Sequence, residues 1–99
     1  MNKMEKQVKV YIKKVLDSYK DKGLFYYMPV QSMGSIKGIP DFIICYKGKF
    51  LSIESKREVG GILSKNQLMR KEEIEKSGGV YEVINNKDTM NNFEIKYLK

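Results

Sequence analysis

Asp41, Glu54 and Lys56 are the residues of this chain whose types and spacing could do chemistry together. Asp41 ends the tripeptide Ile39-Pro40-Asp41, and Glu54-Ser55-Lys56 begins thirteen residues after it, with an apolar stretch on each side of Lys47-Gly48. If Tyr46 and Lys49 close a two-residue hairpin turn, Asp41 lies directly opposite Glu54, and Ile39 opposite Lys56. Opposed residues have Cβ atoms roughly 4.5–5.5 Å apart, and the two-residue period of a strand puts Lys56 on the Glu54 face. Two carboxylates about 5 Å apart repel by about 3 kcal/mol at an effective dielectric of ~20, so the pair needs a cation or a shared proton between them. A divalent metal ion answers that need. Lys47-Gly48 is weaker turn chemistry than Asn-Gly, and a three-residue loop would put Ser55 opposite Asp41 instead. The plain alternative for the trio is a cross-strand ion pair worth ~0.2–1 kcal/mol.

Several elements must position these residues. Met4, Val8, Tyr11, Ile12, Val15, Leu16 and Tyr19 recur at helical spacing, which predicts an amphipathic helix over residues 2–21 that ends at Lys22-Gly23. Its opposite side carries Lys6, Lys9, Lys13 and Lys20 and reads as a solvated face. Glu5 lies beside the apolar stripe, either as a third metal-site carboxylate or as an acid favoured by the helix dipole. Residues 24–28 read as a strand closed by Pro29, and residues 30–37 as a loop into Pro40-Asp41. Pro40 fixes its own φ and biases Ile39 towards extended backbone, which helps to hold the aspartate. Phe42–Tyr46 and Lys49–Ser55 read as the central hairpin.

After a glycine-containing loop over residues 57–63, Ser64-Lys65-Asn66-Gln67 has the form of a capping box, so a second helix should run from there to about Ser77 and stop at Gly78-Gly79. Gln67 is then either the reciprocal cap or a site residue. Val80–Ile84 reads as a strand, residues 87–92 as a turn or short helix, and residues 93–98 as a final strand at an edge.

Ninety-nine residues amount to one domain, spanning 1–99, with little left for a second core. The absence of histidine excludes histidine bases, histidine metal ligands and Ser-His-Asp or Cys-His catalysis, so the chemistry must run on carboxylates, lysine, tyrosine or metal. The single Cys45 excludes an intramolecular disulfide or a cysteine zinc site; within an apolar run it reads as a small core residue. No apolar run approaches the ~20 residues that span a bilayer, and the basic start leads into an amphipathic segment, so an intracellular protein is expected. A net charge of +7 favours a polyanionic partner, nucleic acid first. Lysines scattered for solubility would give the same sum.

Taken in order, Glu5, Gly38-Ile39-Pro40-Asp41, Ile53-Glu54-Ser55-Lys56-Arg57, Gly61-Ile62-Leu63-Ser64 and Gln67 resemble a stand-alone VRR-NUC domain of viral or bacterial type. This is the virus-type replication-repair branch of the PD-(D/E)xK nuclease superfamily. The resemblance covers most of the chain. It implies an α/β, restriction-endonuclease-like core with a mixed central sheet flanked by helices, and metal-dependent phosphodiester hydrolysis in the cytoplasm of a bacterium or of a phage-infected host. Carried over by residue, Asp41, Glu54 and the main-chain carbonyl of Ser55 would hold Mg²⁺ or Mn²⁺, with Glu5 completing the site directly or through water. Magnesium suits such a set, because it keeps several waters and needs only one or two carboxylates. Lys56 would orient and help deprotonate the attacking water, and Gln67 would position Lys56 or the water.

Ser55 departs from the apolar residue usual between the acid and the lysine, and reads as looser packing on the face away from Glu54. Small relatives resemble junction-resolving enzymes, which implies a homodimer on branched DNA. Its candidate surfaces are Phe25-Tyr26-Tyr27 and the region of Tyr97, although burial in the domain's own core is the expectation for both. No small-molecule cofactor is implied. The other readings are a non-catalytic nucleic-acid-binding module and a restriction-type or nicking nuclease on the same core.

Overall fold

The computed structural model describes residues 4–31 and 34–99. The chain runs α1 (Glu5–Asp17), a 3₁₀ turn (Lys20–Lys22), β1 (Phe25–Tyr27), β2 (Phe42–Tyr46), β3 (Lys49–Ser55), α2 (Lys65–Lys76), β4 (Val80–Ile84), α3 (Lys87–Phe93) and a π-helical turn (Glu94–Leu98). The strands form one sheet in the order β1-β2-β3-β4, antiparallel from β1 to β3. β4 lies parallel to β3 and is reached through α2, so the sheet is mixed and the fold is α/β.

The hairpin has the two-residue turn that sets the Asp41–Glu54 register. Tyr46 pairs with Lys49 and Phe42 with Ile53, so the next step along the ladder sets Asp41 against Glu54. Lys47 and Gly48 both take positive φ, 52° and 78°, as a type I′ turn requires. Lysine pays for that conformation in backbone strain, but the alternative would flip every side chain of β3 to the wrong face.

One face of the sheet carries the core. Phe42, Ile44, Leu51, Ile53 and Ile84 bury there against Val8, Ile12 and Leu16 of α1 and against Met90, Phe93 and Leu98. The three α1 residues stand four apart, on one side of the helix. α1 ends at Asp17, earlier than residue 21, and a separate turn follows that stops at Gly23 with φ 89°. The first residues of the helix expected from the sequence lie outside the described residues, as does part of the loop over 30–37.

The other face is covered only in part. α2 packs chiefly against β4 and has no buried residue of its own. Cys45 is on this face of β2 and is exposed, not a core residue: the core side belongs to Phe42, Ile44 and Tyr46, and α2 packs chiefly on β4 instead. Its register neighbours Phe25 and Phe50 are exposed as well. Phe25 and Tyr27, on edge strand β1, remain 62% and 51% accessible, against the expectation of burial, whereas Tyr26 turns to the core side and packs on Phe42. Tyr97 is packed against the core as expected, and its hydroxyl donates to Glu82 at 2.8 Å.

Residues 93–98 are helical and not a strand. The Asn86 side chain caps α3 by accepting from the Thr89 N–H at 2.8 Å, and the helical backbone continues through Glu94. The alternation of Phe93, Ile95 and Tyr97 suggests a strand, but Ile95 is 62% exposed while Met90, Phe93 and Leu98 share the buried side.

Candidate active site

Asp41 sits one residue before β2, after the buried Pro40, where the chain enters the sheet. Its carboxylate Oδ2 accepts the Ser55 main-chain N–H at 2.9 Å and the Ser55 hydroxyl at 2.6 Å. A side chain thus serves the β3 backbone where β2 has not yet begun. Ser55 is fully buried, so the serine reports a buried clamp on Asp41, not looser packing. Asp41, outside the regular strand, reaches Ser55 past the pleat.

Glu54 is buried because its strand is central: the five residues from Leu51 to Ser55 are all buried between β2 and β4. Gln67 Nε2 donates to Glu54 Oε2 at 3.1 Å. Glu54 Oε1 is buried with no hydrogen-bond partner among the described residues. Burial, then the negative charge of Asp41 and a hydrogen bond that the two acids can share through a proton, push the Glu54 carboxyl up to about 8; Lys56 opposes the shift and Glu5 adds to it. Near neutral pH this acid therefore keeps its proton unless another cation takes its place.

Gln67 is the reciprocal cap and also reaches Glu54. Its Oε1 accepts the Ser64 N–H at 2.8 Å and its own N–H donates to Ser64 Oγ at 3.2 Å, completing the capping box, while its Nε2 is left for Glu54. The cap fixes the side chain that holds the acid. Gly38 brings the loop before Pro40 onto this helix start: at φ 82°, a Cβ there would fall 2.4 Å from the Asn66 carbonyl carbon and 2.8 Å from the Gln67 nitrogen. Arg70 ties the same loop down by donating to the Lys37 carbonyl at 3.0 Å. No pattern around Arg70 announces this role.

Lys56 follows β3, half-buried, with its N–H donating to the Ile84 carbonyl at 2.9 Å. Gly61 passes directly over its stem, where a Cβ would lie 2.9 Å from Lys56 Cβ. Lys56 acts on Glu54 through its charge and forms no ion pair at contact distance with any described residue.

Glu5 is held to one side. Lys9 Nζ stands 3.6 Å from Glu5 Oε2 and 3.6 Å from Asp41 Oδ1, so Lys9 belongs to the site and not to the solvated face of α1. Among the described residues no three acidic, cysteine or histidine side chains gather closely enough to hold a metal ion. Asp41, Glu54 and Gln67 line a cleft of about 530 Å³ together with Lys37, Ser64 and Asn66. On β4, Tyr81 is buried with its hydroxyl unpartnered among the described residues; burial and the nearby charges of Glu54 and Asp41 push that phenol up.

Sequence comparison finds no matching family model and no matching curated protein. Among solved structures, one described as a VRR_NUC domain superposes with a TM-score of 0.70, over 96% of this chain and 97% of its own, at 22% identity. The chain has a VRR_NUC fold. The agreement is one of fold and extends over nearly the whole chain. Within it, Asp41, Glu54 and Gln67 meet at one cleft, with Lys56 and Glu5 close enough to act on Glu54 by charge.

The donor set fits a hard divalent cation. Only oxygen ligands are offered, and the orphaned Glu54 Oε1 beside Asp41 is an acceptor that a cation would satisfy. No helix among the described residues is long and apolar enough to cross a membrane.

Proposed function

We propose that this chain is a divalent-metal-dependent DNA endonuclease whose metal site is Asp41 and Glu54. The observation that carries the reading is Glu54: a buried acid, one oxygen unpartnered, set against a second carboxylate, on a VRR_NUC fold. Such a pair is costly unless positive charge is bound between its members. Mg²⁺ or Mn²⁺ would be held by these two acids and the Ser55 carbonyl, with Glu5 contributing directly or through water. When bound, the ion supplies Lewis acidity towards the phosphate and the water.

The remaining work falls to the chain itself. Ser55 fixes Asp41 through two hydrogen bonds, and Gln67 fixes Glu54 through one. Lys56 orients the attacking water, eases loss of its proton and meets the charge that grows on the phosphate oxygens. Water attacks phosphorus, the phosphorus–oxygen ester bond breaks, and the leaving alkoxide takes up a proton. DNA is the substrate that a net charge of +7 favours.

Branched DNA is the proposed target and a homodimer the proposed state, since one chain offers one such cleft and a junction needs two symmetric cuts. Edge strand β1, with exposed Phe25 and Tyr27, is the better candidate surface, because Tyr97 is already packed.

The test offers labelled four-way junctions and linear duplexes to wild type, Asp41→Asn and Lys56→Ala, with Mg²⁺ or with a chelator. Cutting should require Mg²⁺ and vanish in both variants, while Asp41→Asn still binds DNA. Cleavage that survives chelation, or that is equal in wild type and variants, refutes the site. Binding without cleavage by wild type would assign a binding module, and equal cutting of all duplexes would remove the junction preference.

A further inference from the structure

Lys9 is out of place for a lysine on the polar side of an amphipathic helix. Its side chain is 35% accessible, no less than that of Lys71 in an i,i+4 pair on α2; what sets Lys9 apart is that it stands between two carboxylates of different elements. Both contacts are 3.6 Å, longer than a hydrogen bond, so the ammonium serves as a counter-ion and is not locked into fixed geometry. Four methylenes let it leave at little cost.

We infer that Lys9 is a displaceable internal cation, which neutralises Asp41 and Glu5 in the metal-free protein and must withdraw when a divalent cation binds. The inference rests on the metal site proposed above. An ion held by Asp41 would lie within a few ångströms of the ammonium, and two cations at that separation repel. Lys9 therefore competes with metal for Asp41 and sets the metal affinity of the free protein. DNA phosphates offer the withdrawn ammonium a new anionic partner, so metal and DNA should favour each other's binding through this one side chain.

The test is calorimetric titration of Mn²⁺ into DNA-free wild type, Lys9→Gln, Lys9→Arg and Lys13→Gln. Lys13 is exposed on the same helix, so its variant controls for loss of charge alone. Lys9→Gln should bind Mn²⁺ roughly three- to tenfold more tightly, the range expected when one or two partly exposed ion contacts are removed. Lys9→Arg and Lys13→Gln should match wild type. Uptake by Lys9→Gln where wild type shows none would support the inference most strongly. Equal or weaker binding by Lys9→Gln overturns it and leaves the metal site standing. If neither wild type nor Lys9→Gln takes up Mn²⁺, the proposed site fails and the inference with it.

Discussion

Replacing Glu54 by glutamine should make the metal-free protein more stable in alkali and leave it unchanged in acid. Glu54 goes from an ordinary 4.5 to about 8 in the fold. Between those values the native chain keeps a proton that the unfolded chain has lost, so stability is full below the lower value and falls as pH rises through the upper one. At about 1.4 kcal/mol per pH unit the whole displacement corresponds to roughly 5 kcal/mol. Part of it belongs to the Asp41 pair jointly, and the cleft admits water, so a net loss of about 2–4 kcal/mol is the working figure.

Glutamine removes this loss while imitating the protonated acid: its oxygen can still accept from Gln67, and its amide can donate towards Asp41. For a domain of this size, that difference should raise the unfolding midpoint by roughly 10 °C or more at pH 9. The assay is thermal unfolding followed by circular dichroism in chelator at pH 5, 7 and 9. The difference between the two proteins reports Glu54 together with its coupling to Asp41. A glutamine variant less stable than wild type at pH 9, or a difference that does not grow with pH, would refute the reasoning.

Ser55→Ala removes a buried 2.6 Å hydrogen bond to a carboxylate, and should cost about 1.5–3 kcal/mol in urea unfolding and lower cleavage by loosening Asp41. Gly38→Ala combines positive φ with a Cβ 2.4 Å from the Asn66 backbone, so a loss above ~2 kcal/mol is expected in the same assay, with weaker cleavage as the cleft loop shifts. Tyr81→Phe deletes a buried, unpartnered hydroxyl and should be neutral or stabilising by up to ~1 kcal/mol; clear destabilisation would show that the hydroxyl has an unseen partner.

The parts legible in the sequence were those governed by short-range rules. A two-residue turn fixes register by counting, so the facing of Asp41 and Glu54 followed once Lys47-Gly48 was taken as that turn, and the three-residue alternative is the one the structure excludes. The Ser64–Gln67 box marked the start of α2 for the same reason. What the sequence hid depends on which neighbour covers which face. Cys45 looks like core in an apolar run, yet α2 reaches only the far half of its side of the sheet. Residues 93–98 alternate like a strand, but packing of Phe93 and Leu98 with Met90 keeps them helical. Within the site, the Ser55 clamp and the Lys9 contact were not legible, since both depend on how far the Asp41 side chain reaches ahead of β2.

The central claim, that Asp41 and Glu54 form a cation site, is tested most directly by titrating Mn²⁺ at pH 7 and at pH 9.5 in buffers of different ionisation enthalpy. One Mn²⁺ per chain is expected, with about one proton released on binding at pH 7 and little at pH 9.5, because Glu54 must give up its proton to bind metal. Uptake should be lost in Asp41→Asn. No uptake by wild type, or uptake that survives that substitution, would contradict it.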